Sequence, residues 1–295
     1  MILCLAANPS VDRLFEVEEL RTGETHRPAG FVQAAGGKGL NAARAAVTLG
    51  AEVRVATILA GHAGRWLERE LAQAGIPVDA VWVDGESRSS LSVAHGDEGQ
   101  LTEFYEHGVH VSPQAWEEFA AAVAGRSAEA AWTTVSGSLP PGAPAGGYAG
   151  LRLAGPCAVD TVEQRPATPA VVKLNAAEAA SLTGIDTATV DGALAAADSL
   201  RADEGAGLVT RGPQGAVLVT SETAVVGRLD APGRYPVASG DCFLAGLVTA
   251  LAGGAGWPDA LRLALGAAAA NAAVPGAAHF QRSDAERLAQ RAVIT

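Results

Sequence analysis

Lysine is nearly absent from this chain: of its 21 basic residues only Lys38 and Lys173 are lysine, and the other 19 are arginine. Arginine serves wherever a cation is simply solvated, so a retained lysine hints at a place that wants a compact ammonium. Cysteine is as scarce. Cys4, Cys157 and Cys242 lie far apart with no C-x-x-C pair, which argues against a disulfide framework or a cysteine zinc site and fits a reducing, cytoplasmic setting. His107 and His110 flank no H-E-x-x-H pattern, so no transition-metal site is assigned. No apolar run reaches the ~20 residues that cross a bilayer, and no basic segment precedes the apolar start, so neither a membrane span nor a leader is expected. Acids outnumber bases 32 to 21, a formal charge of −11, the wrong sign for a surface that grips nucleic acid.

The 295 residues are 48% hydrophobic, enough for one large domain or two small ones. Apolar runs at residues 2–6, 53–59, 130–135, 171–174 and 208–210 read as strands. Ala-rich or periodic stretches at 38–49, 65–74, 113–124, 176–182, 240–251 and 258–273 read as helices. The alternation predicts an α/β fold with a mostly parallel sheet covered by helices. Two stretches break the rhythm, residues 11–31 and 87–107. The second flanks Gly96-Asp97-Glu98-Gly99 like a hairpin, and the two together are expected to form a small β-strand lid.

Three segments carry chemistry. Ala35-Gly36-Gly37-Lys38-Gly39-Leu40-Asn41 opens a helix whose amides suit an anion or sugar hydroxyls, or it is a plain loop-to-helix turn. It is not a Walker A loop, because Gly39 follows the lysine where Ser or Thr is needed. Asn175-Ala-Ala-Glu178 puts an amide and a carboxylate on one face of a first helical turn, where they can orient hydrated Mg²⁺ or form a capping box. Pro236-Val-Ala-Ser-Gly-Asp241 exposes successive amides beside one carboxylate, a pattern suited to phosphoryl transfer. The helix dipole there is expected to favour ionised Asp241.

In this order, and with Leu5-Ala-Ala-Asn-Pro-Ser-Val-Asp12, Thr102-Glu103, Ser136-Gly-Ser-Leu-Pro-Pro-Gly142 and Gly212-Pro-Gln-Gly-Ala216, the chain resembles the ribokinase-type sugar kinases. The match is to the phosphofructokinase B branch that holds 1-phosphofructokinases and tagatose-6-phosphate kinases. The resemblance implies a single ribokinase-like kinase domain over 1–295, a three-layer α/β/α sandwich with the lid inserted in it. It also implies ATP, Mg²⁺ and a phosphorylated ketohexose as the small-molecule partner, and a homodimer through the lid. By position it implies Asp241 as general base and Ala238, Ser239 and Gly240 as anion hole. Asp12, Gly36, Gly37, Lys38, Asn41, Arg27, Arg88, Glu103 and Ser138 fall to the sugar phosphate. Lys173, Asn175, Thr210, Gly212, Gly215 and Asn271 fall to the nucleotide, and Asn175 with Glu178 to Mg²⁺ through water.

Three departures stand out. Ala238 occupies a place the family usually gives to Gly, where a Cβ is strained if φ is positive. The family's Asp-(Ser/Thr/Cys)-Ser-Gly reads Asp160-Thr-Val-Glu163, and residues 142–171 are short for the family, so trimmed peripheral helices are expected there. The alternatives are a kinase for an unphosphorylated sugar or a nucleoside, and a non-catalytic sugar or nucleotide sensor.

Overall fold

The computed structural model describes residues 1–96, 100–202 and 204–295, so the expected turn at Gly96-Asp97-Glu98-Gly99 lies mostly outside the described residues. The chain starts with β1 (Ile2–Ala6), β2 (Ser10–Glu16), β3 (Gly30–Gly36), α1 (Lys38–Thr48), β4 (Val53–Ala60), α2 (Gly61–Gln73) and β5 (Val78–Val83). It continues with β6 (Arg88–His95), β7 (Gln100–Tyr105), α3 (Pro113–Ser127), β8 (Trp132–Ser136), β9 (Cys157–Asp160), β10 (Val171–Asn175), α4 (Ala176–Thr183), α5 (Val190–Leu200) and β11 (Ala206–Thr210). It ends with β12 (Ala216–Val219), β13 (Ala224–Arg228), α6 (Ser239–Ala252), α7 (Trp257–Ala272), α8 (Arg282–Ala289) and β14 (Val293–Ile294).

Ten strands form one sheet in the order β14-β13-β12-β11-β10-β9-β8-β1-β4-β5. The run from β11 to β5 is parallel, and β12, β13 and β14 add an antiparallel edge. Alternation along each strand sends side chains to two different cores. Ile2, Cys4 and Ala6 pack with α1, α6, α7 and α8, whereas Leu3 and Leu5 of the same strand pack with Trp116, Phe119 and Val123 of α3. In β11 the same split puts Leu208 on the first face and Val209 against α5. Because both faces are covered, these strands read as unbroken apolar runs in the sequence. Each fully buried Leu or Val contributes about 1.5–3 kcal/mol.

Helix starts follow local chemistry. Ser112 accepts from Ala115 N ahead of Pro113, and Thr189 accepts from Gly192 N. At Gly39 a Cβ would overlap the Leu5 carbonyl, so glycine is what lets α1 start against β1.

A separate four-stranded sheet has the order β3-β2-β6-β7. Within it β2–β3 and β6–β7 are antiparallel hairpin pairs, and the parallel pair β2–β6 joins them. Strand β3 runs to Gly36, so this sheet reaches into the glycine-rich motif. Between Gly142 and the start of β10 at Val171 there is one strand, β9, and no helix. No helix among the described residues is long and apolar enough to cross a membrane.

Candidate functional site

The C-terminal ends of β1, β8, β9, β10 and β11 face the four-stranded sheet across a cleft of ≈ 950 Å³. Strand ends are where open α/β sheets hold ligands, since the loops there are free to vary. Asp12, Gly37, Lys38, Asn41, Arg88 and Ser138 line it on the side of the small sheet, and Lys173, Asn175, Glu178, Thr210 and Gly212 on the other. Residues 236–241 close its floor.

Asp241 lies in the first turn of α6, buried. Its Oδ2 accepts from Asn41 Nδ2 at 2.9 Å, tying the start of α6 to α1 across 200 residues. Burial, and then the negative charge of Asp160, push its pKa up to about 7, while Lys38, Asn41 and Lys173 pull it down. This corrects the expectation from the helix dipole: desolvation and a second carboxylate outweigh it.

Ala238 takes the left-handed conformation, φ 61° and ψ 6°, as the N-cap of α6. The turn it makes is a nest of amides. One of the three anion-hole amides is nevertheless engaged, because Ser239 N donates to Pro236 O at 3.0 Å. The Ala238, Gly240 and Asp241 amides donate to no backbone carbonyl among the described residues, which makes them the donors open to a ligand. A Cβ in this conformation costs about 1–2 kcal/mol, partly offset by the lower unfolded-state entropy of Ala. Ala238→Gly is accordingly expected to raise stability by about 1 kcal/mol at most in chemical denaturation. A loss of 1 kcal/mol would mean that the left-handed turn is wrong.

The two lysines converge on one acid. Asp160, at the end of β9 and 1% exposed, receives Lys173 Nζ at 2.7 Å and Lys38 Nζ at 3.3 Å. Burial alone would raise its pKa, but the two ammonium groups overcome this and hold it below the usual carboxylate range. Lys38 also reaches Glu178 Oε1 at 3.3 Å. Burial opposes its charge, but Asp160, Asp241 and Glu178 together push its pKa up. A Cβ at Gly240 would approach Lys173 Nζ, so that glycine lets the lysine lie beside the start of α6. Asp160 is a cleft residue that sequence reasoning left out of the site. Its signal was an acid at a strand's C-terminal end, obscured because Val162 and Glu163 depart from the family pattern.

Asn175 and Glu178 form the capping box: Glu178 N donates to Asn175 Oδ1 at 2.8 Å and Asn175 N to Glu178 Oε2 at 3.0 Å. Asp12 accepts from Gly37 N at 3.1 Å and from Ser10 Oγ. Burial raises its pKa, and the Ser10 and Gly37 hydrogen bonds and Arg88 offset this. Gly36 does not line the cleft; a Cβ there would overlap the Asp12 carboxylate. Arg88 Nε donates to Asn8 O at 3.2 Å and its Nη1 to Ser90 Oγ at 3.4 Å. Asn8 Nδ2 donates to Ser138 Oγ at 3.1 Å.

Besides Gly36, four assigned residues lie off the cleft wall. Arg27 is exposed in the connection between β2 and β3 and does not line the cleft. Glu103 sits behind it, accepting from Tyr105 Oη at 2.6 Å and Ser92 Oγ at 3.2 Å, and the cleft residue is Tyr105. Asn271 is wholly buried and does not line the cleft; its Nδ2 donates to Val237 O at 2.7 Å and Ser239 Oγ at 3.1 Å, bracing the amide turn from below. Gly215 lines a smaller apolar hollow of ≈ 190 Å³ with Leu229, Pro232, Phe243 and Leu265, which joins the cleft at Thr210, Gly212 and Gly240.

The model of the pfkB family carbohydrate kinases matches residues 5–284. A 1-phosphofructokinase of Haloferax volcanii is 33% identical over 272 residues, 89% of this chain and 88% of that protein. Among solved structures, Escherichia coli phosphofructokinase-2 in complex with substrates and products superposes with a TM-score of 0.89 at 24% identity, covering 98% of each chain. A Thermotoga maritima protein described as a possible 1-phosphofructokinase gives 0.90 at 22% identity over 100% of this chain and 98% of its own. These two likenesses establish the ribokinase-like fold; the family match and the 33% identity place the chain in the pfkB family of carbohydrate kinases, enzymes that transfer a phosphoryl group to an alcohol.

Proposed function

We propose that the protein phosphorylates a hydroxyl of a phosphorylated ketohexose, of the fructose-1-phosphate or tagatose-6-phosphate type, at the expense of ATP, with Asp241 as general base. The observation that carries this reading is that one cleft holds a buried carboxylate, the open amides at the start of α6 and the Arg88 guanidinium together. With a pKa near 7, Asp241 can take the acceptor's proton at neutral pH and not hold it too tightly. The Ala238 and Gly240 amides and the dipole of α6 offset charge building on the transferred phosphoryl group. Lys173, beside Gly240, adds a fixed positive charge. The apolar hollow at Leu229 and Phe243 suits the nucleotide base.

Mg²⁺ fits this donor set as an outer-sphere ion. Glu178 and Asn175 offer oxygen at the cleft wall, but both also close the capping box, and no group of three His, Cys, Asp or Glu side chains among the described residues forms a cage. An ion that keeps its waters and leans on substrate phosphates is the kind that such a site accepts. When bound it would neutralise phosphate charge, and Glu178 and Asn175 would hold its waters.

The small sheet acts as a lid over the acceptor, excluding the water that would otherwise compete for the phosphoryl group. Its open edges, β3 and β7, and the exposed rings of Phe31 and Phe104, each 58% accessible, favour a homodimer through this sheet.

A coupled assay of ADP release with Mg-ATP and a panel of sugar phosphates, free sugars and nucleosides tests the reading. Turnover only with ketohexose phosphates is expected; preference for a free sugar or nucleoside overturns the acceptor class, and binding without turnover overturns catalysis. Arg88 is the cation placed to hold the acceptor's phosphate, a charge-assisted contact of about 1.5–3 kcal/mol. Arg88→Ala is expected to raise KM for the sugar phosphate by about 10–100-fold with KM for ATP nearly unchanged. Equal effects on both would remove that role.

A further inference from the structure

Outside the cleft, one cavity is lined by two arginines. A pocket of ≈ 470 Å³ lies between the loop after β9, with Val162, Glu163 and Arg165, and the ends of α4 and α5, with Leu182 and Arg201. Arg165 Nη1 is buried and has no hydrogen-bond partner among the described residues. Burial lowers the pKa of Arg165, and no acid among the described residues counteracts it; Glu163, the acid on the pocket wall, bears instead on Tyr148. Arg165 as a whole is half-buried, so it is this one nitrogen of the guanidinium that is withdrawn from water without a partner, at a cost in free energy. Arg201 adds positive charge to the same wall, its Nε engaged with Asp198 Oδ1 at 2.6 Å. The remaining wall is apolar and open: Val162 and Leu182 are among the few large hydrophobic side chains left exposed. Val162 and Glu163 also line the active cleft, so one loop separates the two cavities.

From this combination we infer that the pocket is a second binding site, for a small organic anion whose carboxylate or phosphate head pairs with Arg165 while its apolar body rests on Val162 and Leu182. A planar guanidinium takes either head group through two parallel hydrogen bonds. The site does not depend on which reaction the cleft performs.

The test is ligand-detected NMR on the full chain with phenyl phosphate, benzoate and the neutral benzyl alcohol. At least one of the two anions is expected to bind saturably to the wild type and to Arg88→Ala, at least tenfold more weakly to Arg165→Gln, and benzyl alcohol not at all. Whichever anion binds identifies the head group. Removing an unpaired charge should leave the thermal midpoint of Arg165→Gln at or above that of the wild type. If that variant melts lower, Leu182→Asp, on the exposed wall, supplies the same comparison and the same tenfold loss. Undiminished binding in both variants, no saturable anion binding, or binding lost in Arg88→Ala but kept in Arg165→Gln would overturn the site.

Discussion

Asp241→Asn is expected to lower kcat by about 10²–10⁴-fold, the range that one positioned general base supplies, while the protein stays folded and becomes more stable at alkaline pH. The two halves have one cause. The folded-state pKa of Asp241 is raised from 3.8 to about 7, chiefly by burial, so the folded protein holds this proton more tightly than the unfolded chain does. Its contribution to stability is complete below about 3.8 and is lost as pH rises through about 7. Asparagine stays neutral at every pH and can still accept from Asn41 Nδ2. Denaturation of the two proteins should therefore give a gap in favour of the variant above neutrality that closes towards acid pH. In the wild type, kcat/KM should fall tenfold per unit as pH drops below about 7, where the base becomes protonated. A variant that keeps most of its kcat, or a wild type whose rate is flat through neutrality, would remove Asp241 from the role of base.

Most of the framework was legible because local and global signals agree. Residues 2–6 and 171–174 are apolar throughout, as strands buried on both faces must be, and appear as β1 and β10 within one residue. α2 begins at Gly61, four residues earlier than periodicity alone places it, because the first turn, Gly61 to Gly64, carries no apolar stripe to mark it. α5 and α8 went unread: the first is alanine-rich with little contrast between its faces, and the second is a short polar helix with two buried residues. The partners of the site residues were not legible. Residue spacing shows that Asn175 and Glu178 share a helical turn, but not that Lys38, 140 residues away, meets Glu178, or that Asn41 meets Asp241. Burial decided the ionisation of Asp241 against the dipole, and burial is a property of the packed chain. Arg27 and Asn271 were assigned by motif position alone, and their side chains went to solvent and to the interior of the fold, respectively.

The ion cluster at the end of β9 carries the second large effect. Asp160→Asn is expected to cost about 3–5 kcal/mol at neutral pH, the usual penalty for removing one partner of a buried ion pair. The loss falls mainly on Lys173, 3% exposed and left without its 2.7 Å partner; Lys38 is partly solvated and keeps Glu178. Because the two lysines depress the pKa of Asp160, its stabilising contribution is present above the unfolded value of 3.8 and is lost as pH falls through the lower folded value. The deficit of the variant should accordingly shrink only in strong acid. Asp160→Asn with Lys173→Met should recover much of the lost stability, since the double change removes both charges and not just one. A purely structural pair would show no more than this. Asp160 is also, after burial, the largest influence raising the pKa of Asp241. Its neutralisation should therefore move the acid limb of kcat/KM to lower pH, even though the same change weakens the fold. If stability falls but the limb stays in place, Asp160 braces the site without tuning its base; if stability is unchanged, the two lysines do not depend on it at all.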